Sequence, residues 1–381
     1  MGQKILNICV NGIYTDGYTY HENLLPKYHK KNGNEVFILA SEYEYDIDKK
    51  INKSNNIEYV DSNGILIKRL RIKGDKPITS KFKRFENFYK TIESINPDII
   101  FCHLFQFVDV GEVVRYKKSN PNVKIYFDSH ADTINSAHGF LSRNVLHKII
   151  WKYYAKKAYN VAEKFYGVSP ARVQFLRDIY GLPKEKTCLL VMGADDEMVK
   201  LSNDEQIKKS TREQYGVLAE DFVIITGGKI DRAKWQVLNL MKAAHKLPVK
   251  LIVFGSVSED LLDDINKQTS DNVIFVGWKT EIEAYKLFAI ANLAVFPATH
   301  SVYWEQVTGQ GIPMIVRRWK GFEHLDLNGN LLYLEEGTEE EIENAIQKVL
   351  DKDVYNRMMK IAQEEGMKKF SYKALALKSI Q

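Results

Sequence analysis

The sequence predicts two doubly wound α/β domains in tandem, each with a parallel sheet covered by helices. Short apolar runs alternate with longer amphipathic segments along the whole chain, which is the order that builds parallel sheets. The chain has 381 residues, more than one hydrophobic core usually serves. A polar, charged stretch, Lys200–Thr211, interrupts the alternation and is the predicted linker. We therefore expect domains at 1–198 and 199–365.

The apolar runs give the strands. In the first half they are Ile5–Val10, Glu35–Leu39, Ile65–Leu70, Ile99–Cys102, Val123–Phe127 and Phe165–Val168. In the second half they are Phe222–Thr226, Lys250–Phe254, Val273–Val276, Leu293–Phe296 and Met314–Val316. Sheets of this kind bind ligands outside the carboxyl ends of their strands, so a cleft between the domains is the expected site.

Helical patterns fill the intervals between the strands. They are Asn23–Lys31, Phe82–Ile92, Asn144–Glu163, Lys234–His245, Leu261–Thr269, Ile282–Ala289, Tyr303–Gly309 and Glu339–Leu350.

Composition favours a soluble, cytoplasmic protein. Hydrophobic residues make up 45% and charged residues 27%, the balance of a globular chain. The sequence has no long uncharged apolar run and no signal-peptide pattern at its start. Three cysteines, Cys9, Cys102 and Cys188, lack metal-ligand spacing and are expected to act as small hydrophobes in a reducing compartment. A net charge of +5 gives no reason to expect a nucleic-acid partner.

A phosphate-binding loop is predicted in the second half. The strand Phe222–Thr226 is followed at once by Gly227 and Gly228, then by Lys229 and Lys234. Adjacent glycines let the backbone approach a ligand, the following helix start attracts anions, and two lysines supply positive charge. On these residues alone, an ordinary surface loop is an equally good interpretation. Walker and Gly-x-Gly-x-x-Gly patterns are absent from the sequence, which disfavours an ATPase or a dinucleotide-dependent dehydrogenase.

The segment GGKIDRAKW resembles the Gly-Gly-Arg-x5-Lys-Gly element of the retaining GT-B glycosyltransferases of family 4. That family has two Rossmann-like doubly wound domains with an interdomain cleft. Lys229 stands where arginine is usual, and Lys234 matches the family lysine. The resemblance implies that these two residues hold the diphosphate of a nucleotide-sugar donor, with no metal and no cofactor. Exchanging arginine for lysine keeps the charge but loses bidentate geometry.

Further matches follow in the family's order. They are Tyr166–Ser169, Phe175–Leu176, Tyr180–Pro183, Met192–Asp195, Phe254–Gly255, Val276–Trp278, Phe296–Pro297, Gly311–Pro313 and Phe370–Tyr372. The resemblance implies that Gly255 and Trp278 face the donor base, and that a last helix at 366–381 crosses back to the first domain.

One departure lies between Pro297 and Gly311. The family carries two glutamates eight residues apart, and this chain lacks the first. Glu305 is the remaining acid, while Gln306 holds the strict position relative to Gly311. The resemblance implies that Glu305 accepts hydrogen bonds from the ribose, although a charge placed early in a helix would explain it equally simply. The resemblance also implies that three residues, His300, Ser301 and Val302, form the turn beside the donor sugar and phosphate.

In the first domain, His130 ends a strand and would face the cleft. The resemblance implies a contact with the transferring sugar, whereas a histidine at a strand end is more often bound to a local carbonyl group. His103 is a second candidate at the same edge. The loop that carries Gly12, Gly17 and Tyr18 would lie between acceptor and donor. The nine histidines include no closely spaced metal-binding pair, so no metal site is expected.

Two stretches mix basic and aromatic residues, at 68–90 and 145–165. Such mixtures suit an anionic membrane surface, and a solvated helix face is an equally good explanation.

Together, these features predict retaining transfer from a nucleotide sugar, most readily a UDP-sugar, to a glycan or lipid-linked acceptor in bacterial surface polysaccharide biosynthesis. His130, Lys234 and Glu305 are the predicted catalytic residues. Two alternatives remain: a nucleotide-sugar 2-epimerase, and a non-catalytic subunit that binds sugar nucleotides. The protein would be cytoplasmic, with peripheral contact at the inner face of the cell membrane.

Overall fold

The computed structural model describes residues 2–74, 76–133, 136–137 and 139–381. The chain divides into two compact units, one formed by Met1–Val191 with Leu375–Gln381 and the other by Met192–Ala374. The first boundary falls before residue 198 because Ala194 is tied to the second unit. Its amide donates to the carbonyl of Phe370 at 2.8 Å, and its carbonyl accepts from Tyr372 at 3.2 Å.

The first unit contains an eight-stranded sheet with the order β10-β9-β8-β7-β1-β2-β6-β5. All its neighbouring strands are parallel except β5, which is antiparallel to β6. A short antiparallel hairpin, β3–β4, stands apart from this sheet. The strands are β1 (Lys4–Cys9), β2 (Glu35–Ser41), β3 (Tyr43–Tyr45), β4 (Ile51–Lys53), β5 (Glu58–Val60), β6 (Leu66–Leu70), β7 (Ile99–Cys102), β8 (Lys124–Ser129), β9 (Lys164–Gly167) and β10 (Thr187–Leu189).

Helices connect these strands. They are α1 (His21–Lys31), α2 (Phe88–Ile95), α3 (Val110–Ser119), a π-helical segment Ser142–Trp151 that continues into α4 (Lys152–Tyr159), and α5 (Pro170–Tyr180). A single 3₁₀ turn, Lys184–Lys186, precedes β10.

The second unit contains a six-stranded, fully parallel sheet with the order β13-β12-β11-β14-β15-β16. Its strands are β11 (Val223–Gly227), β12 (Lys250–Phe254), β13 (Val273–Phe275), β14 (Leu293–Phe296), β15 (Met314–Arg317) and β16 (Leu331–Leu334). The central strands β11, β12 and β14 are buried along nearly all their length, which explains why their sequences are continuous apolar runs rather than alternating ones.

The first helix of the second unit begins at Asp196, shortly after the boundary at Val191. The helices of this unit are α6 (Asp196–Ser202), α7 (Glu205–Gln214), α8 (Val237–His245), α9 (Glu259–Lys267), α10 (Glu281–Ala289), α11 (Tyr303–Gly309), α12 (Glu339–Leu350), α13 (Lys352–Ile361) and α14 (Met367–Lys369). The last helix, α15 (Tyr372–Ser379), begins in the second unit, and its residues from Leu375 onward belong to the first. Two 3₁₀ turns, Arg232–Lys234 and Glu323–Leu325, and a π-helical segment, Ala362–Gly366, complete the second unit.

The predicted fold class is confirmed, since every predicted strand is present within two residues of its predicted ends. The predicted linker Lys200–Thr211 is wrong, because this stretch belongs to α6 and α7. Asp195 and Asp204 cap the two helices with side-chain bonds of 3.0 Å to backbone amides, and both helices pack against α10. The charged residues on the exposed face of these helices have the composition of a loop, which explains the wrong prediction.

Two predicted helices also differ from the observed ones. The helix predicted from Phe82 begins only at Phe88, because Phe85 pairs in a β-bridge with Ile72 and Asn87 adopts a left-handed conformation. The predicted helix Asn144–Glu163 is π-helical as far as Trp151 and ends at Tyr159. Among the described residues, no helix combines the length and the apolar character needed to cross a membrane.

Arg69 organises the edge of the first sheet. It is 3% exposed and its guanidinium forms an ion pair with Glu44 at 3.0 Å. It also donates to three main-chain carbonyls and one hydroxyl, those of Tyr14, Ser41, Tyr43 and Tyr59, at 2.9–3.2 Å. One side chain therefore joins the first loop, the hairpin β3–β4 and strand β5.

We expect Arg69→Met to lower the free energy of unfolding by roughly 3 kcal/mol, because each carbonyl left without a donor costs about 1–3 kcal/mol when buried. Urea denaturation followed by circular dichroism measures the change. Arg71→Met is the matched control, since Arg71 is exposed two residues further on, and it should change the value by less than about 0.5 kcal/mol. Equal effects of the two substitutions would contradict this role of Arg69.

Candidate functional site

Three glycines line the carboxyl edge of the second sheet, at the ends of neighbouring strands. Gly227 closes β11, Gly255 follows β12, and Gly277 comes two residues after β13. Gly255 has φ +129°, and a Cβ atom placed on it would lie 1.8 Å from the carbonyl oxygen of Gly228. Gly228 itself has φ +120°. Only glycine allows two backbones to approach so closely in these conformations.

Main-chain hydrogen bonds hold these loops in register. The amide of Gly228 donates to the Phe254 carbonyl at 3.1 Å, and the amide of Gly255 donates to Gly277 at 2.8 Å. Two residues further along both loops, the amide of Ile230 donates to the carbonyl of Ser256 at 2.8 Å. Main-chain hydrogen bonds thus join the loop that carries the predicted lysines to the loop after β12.

Lys229, Lys234 and Ser301 line one small cavity of about 20 Å³ with Gly227 and Thr299. The structure therefore brings together predicted donor-binding residues from β11 and from the loop after β14. Asp231 holds the lysines in place, since it pairs with the Lys229 ammonium at 3.1 Å and caps the turn Arg232–Lys234 through the Ala233 amide at 3.0 Å.

The two lysines have different surroundings. The Lys229 side chain is 73% exposed, so its ammonium is hydrated. Lys234 is partly buried, and this burial lowers its pKa; the Asp231 carboxylate acts in the opposite direction and the Lys229 charge reinforces the lowering. An anion placed between the two ammonium groups would relieve both the desolvation and the repulsion.

The turn after β14 closes over Gly228. Ser301 Oγ and the Tyr303 ring would be 3.6 Å from a Cβ atom on Gly228. The Tyr303 ring packs against Phe254 at 5.5 Å between ring centroids, which fixes the start of α11. Val302 lies between them and is 63% exposed.

Glu305 is buried at 1% exposure and is surrounded by histidines. His300 Nε2 lies 3.1 and 3.0 Å from its two carboxylate oxygens, and His324 Nε2 lies 3.4 Å from Oε1. Burial acts to raise the pKa of Glu305, but the two histidines outweigh it and lower the pKa to about 2. The His300 ring also stacks on Phe322 at 3.8 Å. The carboxylate therefore fixes the ring of His300.

The remaining predicted donor residues lie at the same sheet edge. Gln306 is 9% exposed and donates to Gln310 at 3.1 Å. Trp278 is 59% exposed and follows Gly277, whose φ of +66° turns the chain after β13. His324 and Phe322 were not predicted, because they lie beyond β15 and only the fold brings them to His300.

In the first unit, His130 lies at the end of β8 and its side chain is 29% exposed. The buried Asp128 carboxylate is 3.8 Å from His130 Nε2 and 3.0 Å from His103 Nδ1. The two predicted histidines therefore share one carboxylate. Asp132, two residues after His130, pairs with Arg172 at 3.2 Å.

His130 also lines a cavity of about 280 Å³ together with Gly12, Gln106, His147 and Trp151. His147 Nδ1 is 2.6 Å from the hydroxyl of Tyr180, which accepts from Gln106 at 3.2 Å. Burial lowers the pKa of His147 to about 4. The sequence gave no signal for this network, since its members are far apart in the chain.

The three residues named in the first loop have different surroundings. Gly12 faces the cavity, whereas Gly17 turns the chain with φ +76°. Tyr18 stacks on Tyr45 of the hairpin at 6.1 Å between ring centroids. Tyr18 therefore packs on the first unit's own hairpin.

Solved structures resemble the chain over nearly its entire length. Sucrose-phosphate synthase from Thermosynechococcus elongatus is 17% identical, with a TM-score of 0.63 and coverage of 99% of this chain and 97% of that one. HepE of Anabaena in complex with UDP is 16% identical, with a TM-score of 0.65 and coverage of 99% and 98%. These are glycosyltransferase structures of the GT-B class. The chain has the GT-B fold.

The same fold also occurs with other chemistry. UDP-GlcNAc 2-epimerase from Neisseria meningitidis, bound to UDP-GlcNAc, is 12% identical, with a TM-score of 0.62 and coverage of 98% and 97%. No protein-family model matches the sequence, and no curated protein matches it significantly. At these identities, the likeness establishes the GT-B fold, and function has to be argued from the site.

We expect Glu305→Gln to reduce stability in a pH-dependent way. A carboxyl whose pKa falls from 4.5 to about 2 on folding stabilises the protein above pH 4.5, and that contribution disappears as the pH falls toward 2. The difference in free energy of unfolding between wild type and variant should therefore be largest near pH 7 and shrink through this window. Urea denaturation across the pH series measures it.

Glu365→Gln provides the control, because Glu365 is an exposed glutamate of the same unit. Its effect should be small at every pH. The free energies of unfolding of the wild type and Glu305→Gln could also differ by the same amount from pH 7 to pH 3. That result would contradict an ionised Glu305 in the folded state.

Proposed function

We propose that the protein is a retaining glycosyltransferase that transfers one sugar from a nucleoside-diphosphate donor, a UDP-sugar by preference. The observation that carries the proposal is the cavity where Lys229, Lys234 and Ser301 meet the backbone of Gly227. Two ammonium groups and a hydroxyl around a glycine turn suit a diphosphate. HepE, which shares this fold, binds UDP and UDP-glucose.

The lysines would supply the electrostatic stabilisation of the reaction. As the bond to the sugar breaks, negative charge grows on the β-phosphate, and fixed positive groups lower the energy of that state. Lys234 is the better placed of the two, because partial burial strengthens its field and the Asp231-capped turn fixes its backbone. Neutralisation by two lysines removes the need for a metal at the diphosphate.

We propose that the acceptor hydroxyl attacks from the front face, assisted by the leaving phosphate, because the described lining of the lysine cavity contains no carboxylate that could form a glycosyl-enzyme intermediate. His130 would donate to the transferring sugar from the edge of the first sheet. Trp278 and Gly255 would face the donor base.

We propose a role for Glu305 other than the predicted hydrogen bond to the ribose. Both of its carboxylate oxygens lie within 3.1 Å of His300 Nε2, and the group is almost fully buried. This geometry favours a positioning role, in which Glu305 orients His300 and keeps its other ring nitrogen available to the donor. Gln306 is adjacent and is the remaining candidate for the ribose hydroxyls.

Nucleotide-sugar 2-epimerisation is the second candidate, because an epimerase bound to UDP-GlcNAc has the same fold. Incubation with UDP-GlcNAc alone separates the reactions: an epimer in the absence of acceptor would favour the epimerase. UDP binding without any transfer, hydrolysis or epimerisation would favour a non-catalytic subunit.

We expect Lys234→Ala to weaken UDP binding roughly tenfold to a hundredfold, since a hydrogen bond to a charged group contributes about 1.5–3 kcal/mol. Isothermal titration calorimetry measures the affinity, and release of UDP from UDP-sugars measures turnover. Lys242→Ala is the matched control, because Lys242 lies exposed on α8 of the same unit and should bind UDP like the wild type. Unchanged UDP affinity in Lys234→Ala would reject the proposed grip.

We further propose a lipid-linked acceptor at an anionic membrane surface. Large apolar side chains are exposed just before and along the π-helical segment and α4: Phe140 at 77%, Leu141 at 72%, Val145 at 42%, Ile149 at 62% and Tyr153 at 62%. Spacings of four residues place the last four on one face. Lys148, Lys156 and Lys157 are exposed on the same segments, which is the pairing of apolar and basic groups that anionic lipid attracts.

In this proposal the reaction takes place at the cytoplasmic face of the cell membrane and contributes to the biosynthesis of bacterial surface polysaccharides. The three exposed lysines contact anionic lipid headgroups. We propose no nucleic-acid partner.

Ile149→Glu should weaken binding to phosphatidylglycerol vesicles roughly tenfold or more, because burying an isoleucine side chain contributes about 1.5–3 kcal/mol. Vesicle cosedimentation measures it, with phosphatidylcholine vesicles as the uncharged comparison. Leu262→Glu is the control, an exposed leucine of the second unit at 40% exposure. Equal partitioning of both variants and wild type would refute membrane docking through this face.

A further inference from the structure

A compact cluster of metal-ligating side chains is buried in the first unit, and the proposed transfer reaction does not account for it. His21, His103 and Asp128 are all buried, and one potential ligand atom from each lies within 4.8 Å of the other two. We propose that these three residues bind one divalent transition-metal ion, with zinc as the best match to two imidazoles and a carboxylate. This inference goes beyond the proposed transfer reaction.

The distances suit a single ion. Asp128 Oδ2 is 3.0 Å from His103 Nδ1 and 3.7 Å from His21 Nε2. Tetrahedral zinc with bonds of about 2.0–2.1 Å holds its ligand atoms roughly 3.3–3.4 Å apart. The two observed distances lie on either side of that value, and the ligand atoms of His21 and His103 lie within 4.8 Å of each other.

The composition of the cluster also favours a cation. Asp128 brings a carboxylate into a buried site beside the imidazoles of His21 and His103. A divalent ion would compensate the buried carboxylate charge.

Rigid elements hold the ligands in place. His21 is the first residue of α1, His103 directly follows β7, and Asp128 lies within β8, which pairs with β7. The backbone amide of Leu104 donates to Asp128 Oδ1 at 2.8 Å, which leaves Oδ2 directed at the histidines. Leu104 has φ +66°, an unfavourable conformation for leucine that the surrounding structure maintains to make this contact.

The cluster is close to the cavity lined by His130. His130 Nε2 lies 3.8 Å from Asp128 Oδ2 and its side chain is 29% exposed. Three protein ligands leave a fourth coordination position for a water molecule or a further ligand. The ligands are far apart in sequence, which is why inspection for closely spaced pairs predicted no metal site.

Metal titration of the untagged full chain tests the proposal. The chain is stripped with a chelator, and Zn²⁺ and Co²⁺ are titrated against a chromophoric competitor. We expect one tightly bound ion per chain, a visible Co²⁺ spectrum typical of tetrahedral coordination, and a higher Tm with zinc by mass action. Asp128→Asn and His103→Gln should each weaken zinc binding by at least roughly tenfold.

His29→Gln is the matched control. His29 is a buried histidine of the same helix as His21, and its Nε2 is paired with Ser379 Oγ at 2.8 Å. It should keep the wild-type zinc affinity, and circular dichroism confirms that each variant folds. If Asp128→Asn fails to fold, His21→Gln removes a ligand and keeps the buried carboxylate. Wild-type protein without stoichiometric zinc, or equal zinc binding in wild type and folded ligand variants, would overturn the proposal without affecting UDP binding.

Discussion

The contact between Gly255 and the carbonyl of Gly228 is the constraint on which the second unit's site depends. Any side chain at Gly255 would overlap that carbonyl at 1.8 Å, so the loops after β11 and β12 can meet only as bare backbone. Their meeting sets the position of the Asp231-capped turn and hence of Lys234. The turn at Ser301 then packs over Gly228. A small cavity of about 20 Å³ results from this backbone geometry, and the lysines add charge to it.

Much of the fold and part of the site were predictable because the information was local. Continuous apolar runs identified the strands, and Gly227, Lys229 and Lys234 lie in one loop whose chemistry is visible in sequence. The pairing of Glu305 with His324 was not predictable, since it joins α11 to a turn beyond β15. The stretch Lys200–Thr211 misled prediction because the polar face of a surface helix has the composition of a loop.

Each unit contains a buried carboxylate surrounded by histidines. In the second unit Glu305 fixes His300, and in the first Asp128 lies between His103, His21 and His130. A buried carboxylate is costly unless charge or hydrogen bonds compensate it. In both places the compensation comes from neighbouring imidazoles. We propose different roles for the two clusters. Glu305 orients the ring of His300, whereas Asp128 and its histidines supply ligands for a metal ion.

The central claim is that the lysine cavity of the second unit holds the donor diphosphate, and a crystal structure of the protein with UDP tests it most directly. The account predicts that the β-phosphate lies against the Gly228 backbone, with Lys234 Nζ in hydrogen-bonding contact and Ser301 beside it. A diphosphate that contacts neither Lys234 nor the Gly227–Gly228 turn would contradict the account.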